Sequence, residues 1–209
     1  MNKYHKIQTV YLRDPETKFK TLLNGQFSTP EFEYLAENEW VFTEKVDGTN
    51  IRIMFDGENI KFGGKTDNAS IPSQLVSRLN ETFLPKTNLF KEKFDSAICL
   101  YGEGYGAKIQ NGGNYRQDQD FILFDVNING IWLERDSVED IANFLGIDVV
   151  PVIGCGALYD MIEMTMQGFT SMWGNFQAEG IVARPKYELL TRRGDRIITK
   201  IKHKDFAVV

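Results

Sequence analysis

The chain predicts an α+β fold built on antiparallel sheets. Three observations carry that reading. Short runs of β-branched and aromatic residues recur around tight-turn pairs such as Asp56-Gly57 and Asn129-Gly130, the pattern of strands joined by hairpins. Helix-like segments with recognisable starts and stops lie between them. The regular strand–helix alternation of a doubly wound sheet is missing. No linker, repeat or low-complexity tract divides the 209 residues, so a single domain spanning 1–209 is expected.

In order, residues 1–27 mix basic and apolar residues and contain a strand. Ser28-Thr29-Pro30-Glu31 is a helix start, with a hydroxyl cap, a proline in the first turn and an early acid; the helix is expected to reach Asn38. Strands fill 40–62, broken at Asp47-Gly48 and Asp56-Gly57. Ile71 to Phe83, with Pro72 in its first turn, reads as an amphipathic helix. Ser96 to Leu100 is strand-like and runs into Tyr101-Gly102-Glu103-Gly104-Tyr105-Gly106, and 107–119 is a polar loop. Phe121 to Val126 is a buried strand, and Asn129-Gly130 a hairpin turn. Asp136 to Leu145 is a helix closed by Gly146. Val149 to Ile153 is a strand and Ala157 to Gln167 a helix. Gly180 to Arg184 and Arg196 to Lys202 are the last two strands.

Composition narrows the chemistry. No apolar run approaches the roughly 18 residues a membrane span needs, and the basic start Met1-Asn2-Lys3-Tyr4-His5-Lys6 has no apolar stretch behind it, so neither a secretory signal nor a membrane partner is expected. A cytoplasmic location is expected (that of a host cell for a viral protein). The only cysteines, Cys99 and Cys155, lack metal-type spacing and suit two buried free thiols. With His5 and His203 as the only histidines, histidine-based zinc sites and Ser-His-Asp catalysis are disfavoured. The net charge is −5, yet 184–204 holds eight Lys/Arg against two acids, a local +6 that leaves −11 elsewhere. A basic strip on an acidic body suits a polyanion bound at one place; a solvated face is the plainer alternative.

Two phosphate-loop look-alikes fail. Gly64-Lys65-Thr66 would need a glycine where Asn59 stands and a helix directly after. Gly102-x-Gly104-x-Gly106 has the wrong spacing for a dinucleotide loop. What remains is a set of polar residues at strand ends. Thr43-Glu44-Lys45-Val46-Asp47-Gly48-Thr49-Asn50 reads as two strands meeting at an Asp-Gly turn. The side-chain period of two would place Lys45 and Asp47 on one face, an amine beside a carboxylate; alone, that is a surface ion pair. Glu103 lies between glycines, where backbone can approach a ligand closely. Phe124 sits in a buried run and by pattern alone is core. Glu179-Gly180 opens a strand. Lys200 and Lys202 flank Ile201, so their ammonium groups share a face; a basic edge strand that blocks aggregation is the plainer reading.

In this order the motifs resemble the catalytic nucleotidyltransferase domain of the ATP-dependent ligases, and among them the RNA ligase 2-like family of phage RNA ligases and RNA-editing ligases. The ordered set is Lys45-Val-Asp-Gly-Thr-Asn50, Gly-Gly-Lys65-Thr, Tyr-Gly-Glu103 with Gly-x-x-Ile109-Gln110, Asp-Phe-Ile-Leu-Phe124-Asp, Ala-Glu179-Gly and Thr-Lys200-Ile-Lys202. It covers roughly 40–206. The fold the resemblance implies is that of the nucleotidyltransferases, antiparallel sheets flanked by helices.

The resemblance implies that Lys45 takes AMP from ATP as a lysyl-AMP phosphoramide, passes it to an RNA 5′-phosphate, and that a 3′-hydroxyl then seals the strand in RNA repair. Lys200 and Lys202 would neutralise the α-phosphate, and their charge would favour the neutral, attacking form of Lys45. Asp47 and Glu179 would organise Mg²⁺ or Mn²⁺, partly through water. Glu103 would bind the ribose, Phe124 would stack on adenine, Asn50 and Lys65 would touch the nucleotide or the nucleic-acid ends, and Glu44 would lie near adenine. Relatives often carry arginine where Lys65 stands, and lysine lacks the bidentate fork. DNA ligases and capping enzymes add an OB-fold after the last motif, whereas only seven residues follow Lys202 here. No C-terminal OB or helical domain is therefore expected, and a trans-acting partner would have to replace it. The substrate would be RNA ends, including an RNA/DNA hybrid. A DNA ligase, a capping-type nucleotidyltransferase and a non-catalytic RNA-end binder are the rival readings.

Overall fold

A computed structural model describes residues 3–206. In chain order the elements are β1 (Gln8–Thr9), β2 (Tyr11–Arg13), β3 (Leu22–Phe27), α1 (Pro30–Tyr34), β4 (Trp40–Glu44), β5 (Thr49–Phe55) and β6 (Ile60–Gly63). Then come α2 (Ser73–Phe83), α3 (Thr87–Lys93), β7 (Ile98–Gly106), β8 (Gln119–Ile128), β9 (Ile131–Trp132) and α4 (Arg135–Leu145). The last are β10 (Val152–Gly156), α5 (Leu158–Gln167), β11 (Gly180–Pro185) and β12 (Thr199–Lys202). The α+β class and the antiparallel sheets flanked by helices match the expectation. Among the described residues, no helix is long and apolar enough to cross a membrane.

The elements gather into two compact units. The insert unit takes Asp47–Val150 with residues 3–5, and the flanking unit takes Lys6–Val46 and 151–206. In the insert unit the sheet order is β6-β5-β7-β8-β9, antiparallel throughout. Its hairpin turns follow the sequence signals: Gly57 has φ +103°, and Asn129 and Gly130 both have positive φ, at 51° and 89°. One sheet face packs against α2 and α4 through Ile51, Ile53, Leu75, Leu79, Phe121 and Val138, with Phe83 and Phe121 edge to face at 5.5 Å. Burying each such side chain contributes about 1.5–3 kcal/mol. In the flanking unit the order is β1-β12-β11-β4-β10, with only β1–β12 parallel. Here Trp40, Phe42, Leu158, Met161, Ile181 and Ile201 form the core.

Several expectations change. The Asp47-Gly48 pair is not a hairpin turn: β4 pairs with β10 and β11, whereas β5 pairs with β6 and β7. The chain leaves one sheet for another there. Glycine is needed at 48 for close approach, since a Cβ would lie 2.3 Å from the Gly104 carbonyl oxygen. β7 does not stop at Leu100 but runs through the glycines to Gly106. At Gly102 a Cβ would meet the Ile122 oxygen and the Phe121 ring at 2.3 Å, and at Gly104 the Leu75 side chain at 2.4 Å. These glycines admit core neighbours; they do not open a ligand loop.

Helix α1 is capped by Thr29, whose Oγ1 accepts from the Phe32 amide at 3.3 Å, but it ends at Tyr34 rather than Asn38. Past Tyr34 the α-helical pairing gives way to tighter turns: the Ala36 amide donates to Glu33 O at 3.3 Å and the Asn38 amide to Leu35 O at 3.0 Å, each three residues back and not four. Helix α3 goes unread in the sequence; its buried side is Phe90, followed one turn on by Phe94. The strand placed at Val149–Ile153 divides into a single bridge from Val149 to Leu123 and β10 from Val152, because Pro151 between them has no N–H to donate. Cys99 is buried but Cys155 is exposed.

Candidate active site

The flanking unit assembles one group of the expected residues. Lys45 directly follows β4, and its backbone N–H donates to Gly180 O at 2.9 Å. That bond extends the β4–β11 pairing by one residue and sets Lys45 beside Glu179. β11 in turn pairs with β12, Gly180 opposite Lys202 and Val182 opposite Lys200. Gly180 permits this: a Cβ there would lie 2.1 Å from Ile201 O. The Lys45 ammonium meets Glu179 Oε2 at 2.6 Å, and Lys202 is ion-paired with Oε1 of the same carboxylate. The three side chains are 11–23% exposed, so the pairs are shielded but open to a ligand. Lys200 stands on the face of β12 shared with Lys202, while Ile201 is buried between them. One carboxylate between two ammonium groups leaves a net positive cluster. Such a cluster attracts phosphate, and it holds an amine within one hydrogen bond of a proton acceptor.

Glu44 belongs to this unit and is 1% exposed. Its Oε1 accepts from Ser171 Oγ at 2.6 Å and its Oε2 from the Met172 amide at 2.8 Å. Ser171 Oγ also accepts from the Trp173 amide at 3.1 Å. Burial pushes the Glu44 carboxyl above the ordinary carboxylate range, against the lowering effect of these two hydrogen bonds. Stability linked to a raised carboxyl is fully present below the unfolded-state pKa and is lost as pH rises through the folded one. Glu44→Gln therefore gains on the wild type between pH 4 and pH 7, whereas Glu44→Ala, which strands the Met172 and Ser171 donors, loses about 1–3 kcal/mol. Thermal denaturation of the three proteins at both pH values checks this; a Gln variant that falls behind as pH rises contradicts it.

The insert unit carries the others. Asn50 and Glu103 are register partners on β5 and β7. Asn50 Oδ1 is buried with no hydrogen-bond partner, an acceptor suited to a ligand hydroxyl or N–H. Asp47 Oδ2 accepts from Asn111 Nδ2 at 2.9 Å, and the Asp47 amide donates to Tyr115 Oη at 3.2 Å. Asp47 is thus held by the 107–116 loop. Lys65 is exposed on a loop fixed by Arg52, whose buried guanidinium donates to Gly64 O at 2.9 Å and to Asp67 at 2.7 Å. Phe124 is half-buried and meets the edge of Tyr4 at 5.0 Å; Tyr4 Oη donates to Asp125 at 2.7 Å. Sequence reasoning missed Ser171, Asn111, Tyr115, Arg52 and Tyr4. Tyr115 and Asn111 lie in a stretch read only as polar loop, and nothing local pairs Ser171 with Glu44, 127 residues away.

Asp47 and Glu179 lie in different units. Among the described residues no group of three His, Cys, Asp or Glu could hold a metal ion. A site of one or two carboxylates suits Mg²⁺, which keeps several waters and leans on substrate phosphates. Each carboxylate taken in its own unit fits such an ion, and neither forms a protein cage.

Residues 38–202 match the family model for RNA ligase. No curated protein matches the chain. Among solved structures, a Naegleria gruberi RNA ligase mutant with ATP and Mn is 17% identical, with a TM-score of 0.70 over 97% of this chain and 56% of that one. The same organism's RNA ligase with PPi is 19% identical, with a TM-score of 0.65 over 83% and 52%. A further mutant with AMP and Mn is 18% identical, with a TM-score of 0.64 over 83% and 52%. The likeness is one of fold, and the chain spans about half the length of those structures.

Proposed function

The chain belongs to the RNA ligase family, and from that membership we propose that it is an ATP-dependent RNA ligase catalytic module in which Lys45 is the nucleophile. The observation that carries the proposal is the Lys45–Glu179–Lys202 cluster. A protonated lysine cannot attack. Glu179 Oε2, hydrogen-bonded to Nζ, is placed to take its proton as the nitrogen–phosphorus bond forms and the bond to pyrophosphate breaks. Lys202 and Lys200 stabilise charge on the α-phosphate, an electrostatic role that dominates phosphoryl-type transfer. Glu103 binds the ribose, Phe124 stacks on adenine, and the unpaired Asn50 oxygen accepts from the nucleotide. Lys65 contacts the nucleotide or an RNA end. Mg²⁺ or Mn²⁺, when bound, adds positive charge on the phosphates, and Asp47 and Glu179 are the carboxylates that would hold it. Glu44, with both oxygens bonded to the 171–172 turn, supports the strand that presents Lys45 and lies near adenine. AMP then passes to an RNA 5′-phosphate, and attack by a 3′-hydroxyl expels AMP and seals the strand.

The test is incubation with α-labelled ATP and Mg²⁺, then a chase with 5′-phosphorylated strands. Label should enter the protein from ATP and not from GTP, and should leave it for RNA. Label from GTP alone would indicate a capping-type enzyme. Transfer to DNA but not RNA would indicate a DNA ligase, and RNA binding with no label on the protein would indicate a non-catalytic end binder.

A further inference from the structure

The basic strip of 184–204 does not form one surface. Arg184 and Arg196 are 8% and 2% exposed in their side chains, and both pair with Glu188. Lys186 pairs with Glu39 and Lys202 with Glu179. Arg192 and Arg193, by contrast, are exposed, and their side chains make no hydrogen bond or ion pair among the described residues. They sit at the tip of a hairpin between β11 and β12. Its stem is a Leu190–Arg196 bridge and an Ile197 N–H bond to Leu189 O at 3.0 Å. Its turn is closed by the Thr191 amide on Asp195 O at 2.8 Å and by Thr191 Oγ1, which accepts from the Arg193 and Asp195 amides at 3.2 Å each. Gly194, at φ +84°, supplies the left-handed step. Tyr187 is 66% exposed on the same arm.

We infer that this hairpin tip is a contact surface for the RNA strand, gripping phosphates beyond the reacting end through Arg192 and Arg193 and offering Tyr187 to an unpaired base. The inference rests on the RNA ligase reading above. Two cations on an ordered turn cost little entropy to engage a partner, and Glu188 is already committed within the stem. Asp195, exposed at the turn, offsets one of the two charges. On a chain of net charge −5, a polyanion docks where unpaired cations project. Arginine adds the planar fork that fits phosphate, and an exposed tyrosine face stacks with any base.

Fluorescence anisotropy of a 5′-phosphorylated single-stranded RNA tests this, with KCl stepped from about 50 to 200 mM, the range over which phosphate contacts are most visible. Arg192→Ala/Arg193→Ala should weaken binding about tenfold at low salt and flatten the slope of log K against log salt by about 1.4, or about 0.7 per lost contact. Arg192→Lys/Arg193→Lys should restore the slope, and Tyr187→Ala should weaken binding at every salt concentration. Labelling of Lys45 by ATP should be unchanged in all of them, which also shows that each variant is folded. An unchanged affinity and slope in the alanine pair overturns the inference, as does a loss that lysine does not restore. So does a change in oligomeric state by light scattering in place of a change in RNA affinity. A wild type that labels on Lys45 but binds no RNA overturns this inference and spares the assignment of the nucleophile. Absence of label overturns that assignment independently of the RNA measurement.

Discussion

Lys45→Ala should abolish transfer of label from ATP to the protein, to at least about a thousandfold below wild type, because in the proposed reaction Lys45 Nζ forms the bond to phosphorus. The loss should be chemical and not structural. The Lys45 side chain is 19% exposed, and its removal leaves Glu179 paired with Lys202. The backbone bond from residue 45 to Gly180 O is also unaffected, since it uses the main chain. Circular dichroism and melting temperature should therefore match the wild type. Lys202→Ala keeps the nucleophile but removes a fixed positive charge, so labelling should fall by about a hundredfold and not vanish. Gel autoradiography with mass mapping of the labelled peptide gives both results. Label of wild-type intensity on the alanine variant would mean that the nucleophile lies elsewhere.

Gly102→Ala should cost more stability than Gly104→Ala on the same strand, where the new Cβ would meet side chains only. The new Cβ would lie 2.3 Å from the Ile122 carbonyl oxygen on β8 and 2.3 Å from two carbons of the Phe121 ring. Phe121 cannot swing aside freely, because it is 4% exposed and wedged against Phe83. The Ile122 oxygen belongs to the backbone of the neighbouring strand. Relief must come from spreading the β7–β8 ladder at the bulge beside it. Overpacking of this kind costs about 1–3 kcal/mol, and more where backbone is the obstacle. For a chain of this size that lowers the melting temperature by roughly 2–12 °C. A matched Gly57→Ala, where a Cβ meets nothing within 4 Å but φ is +103°, should cost about 1 kcal/mol of backbone strain alone. Differential scanning calorimetry ranks the two; equal losses would show that the β7–β8 ladder relieves the close approach at Gly102 at little cost.

The same glycines show where the sequence was legible. Hairpin turns at Asp56-Gly57 and Asn129-Gly130 could be read because their signal is local: the residues themselves need the conformation. Gly48, Gly102 and Gly104 answer to partners far along the chain, so Gly48 was read as a turn and the other two as room for a ligand to approach the backbone, when the contacts a Cβ would meet there are with the protein itself. Lys200 and Lys202 were placed on one face correctly, since strand periodicity needs no tertiary knowledge. The pairing of Lys45 with Glu179 was not visible, because the local sequence around a lysine gives no hint which distant strand will lie beside it. Phe124 shows the middle case. Apolar pattern alone assigns it to the core, yet it is only half-buried, against Tyr4, because β8 carries a bulge opposite Tyr101 and Gly102. Charge counting likewise overstated the basic strip, since composition cannot tell a buried Arg196–Glu188 pair from an arginine in water.

Lys45 and Glu179 are 134 residues apart, and nearly all of the insert unit lies between them. On the ribosome this separation becomes a delay. At about 5–20 residues per second, Glu179 is made roughly 7 to 27 s after Lys45. In that interval the insert-unit strands are completed, and most pair with sequence neighbours: β5 with β6, β7 with β8, and β8 with β9. Strand β4 has no such neighbour and waits for β10 and β11. Lys45 is thus synthesised early and remains without Glu179, Lys200 and Lys202 until the strands that carry them exist, so the proposed reaction cannot begin on a nascent chain that has not yet reached Lys202.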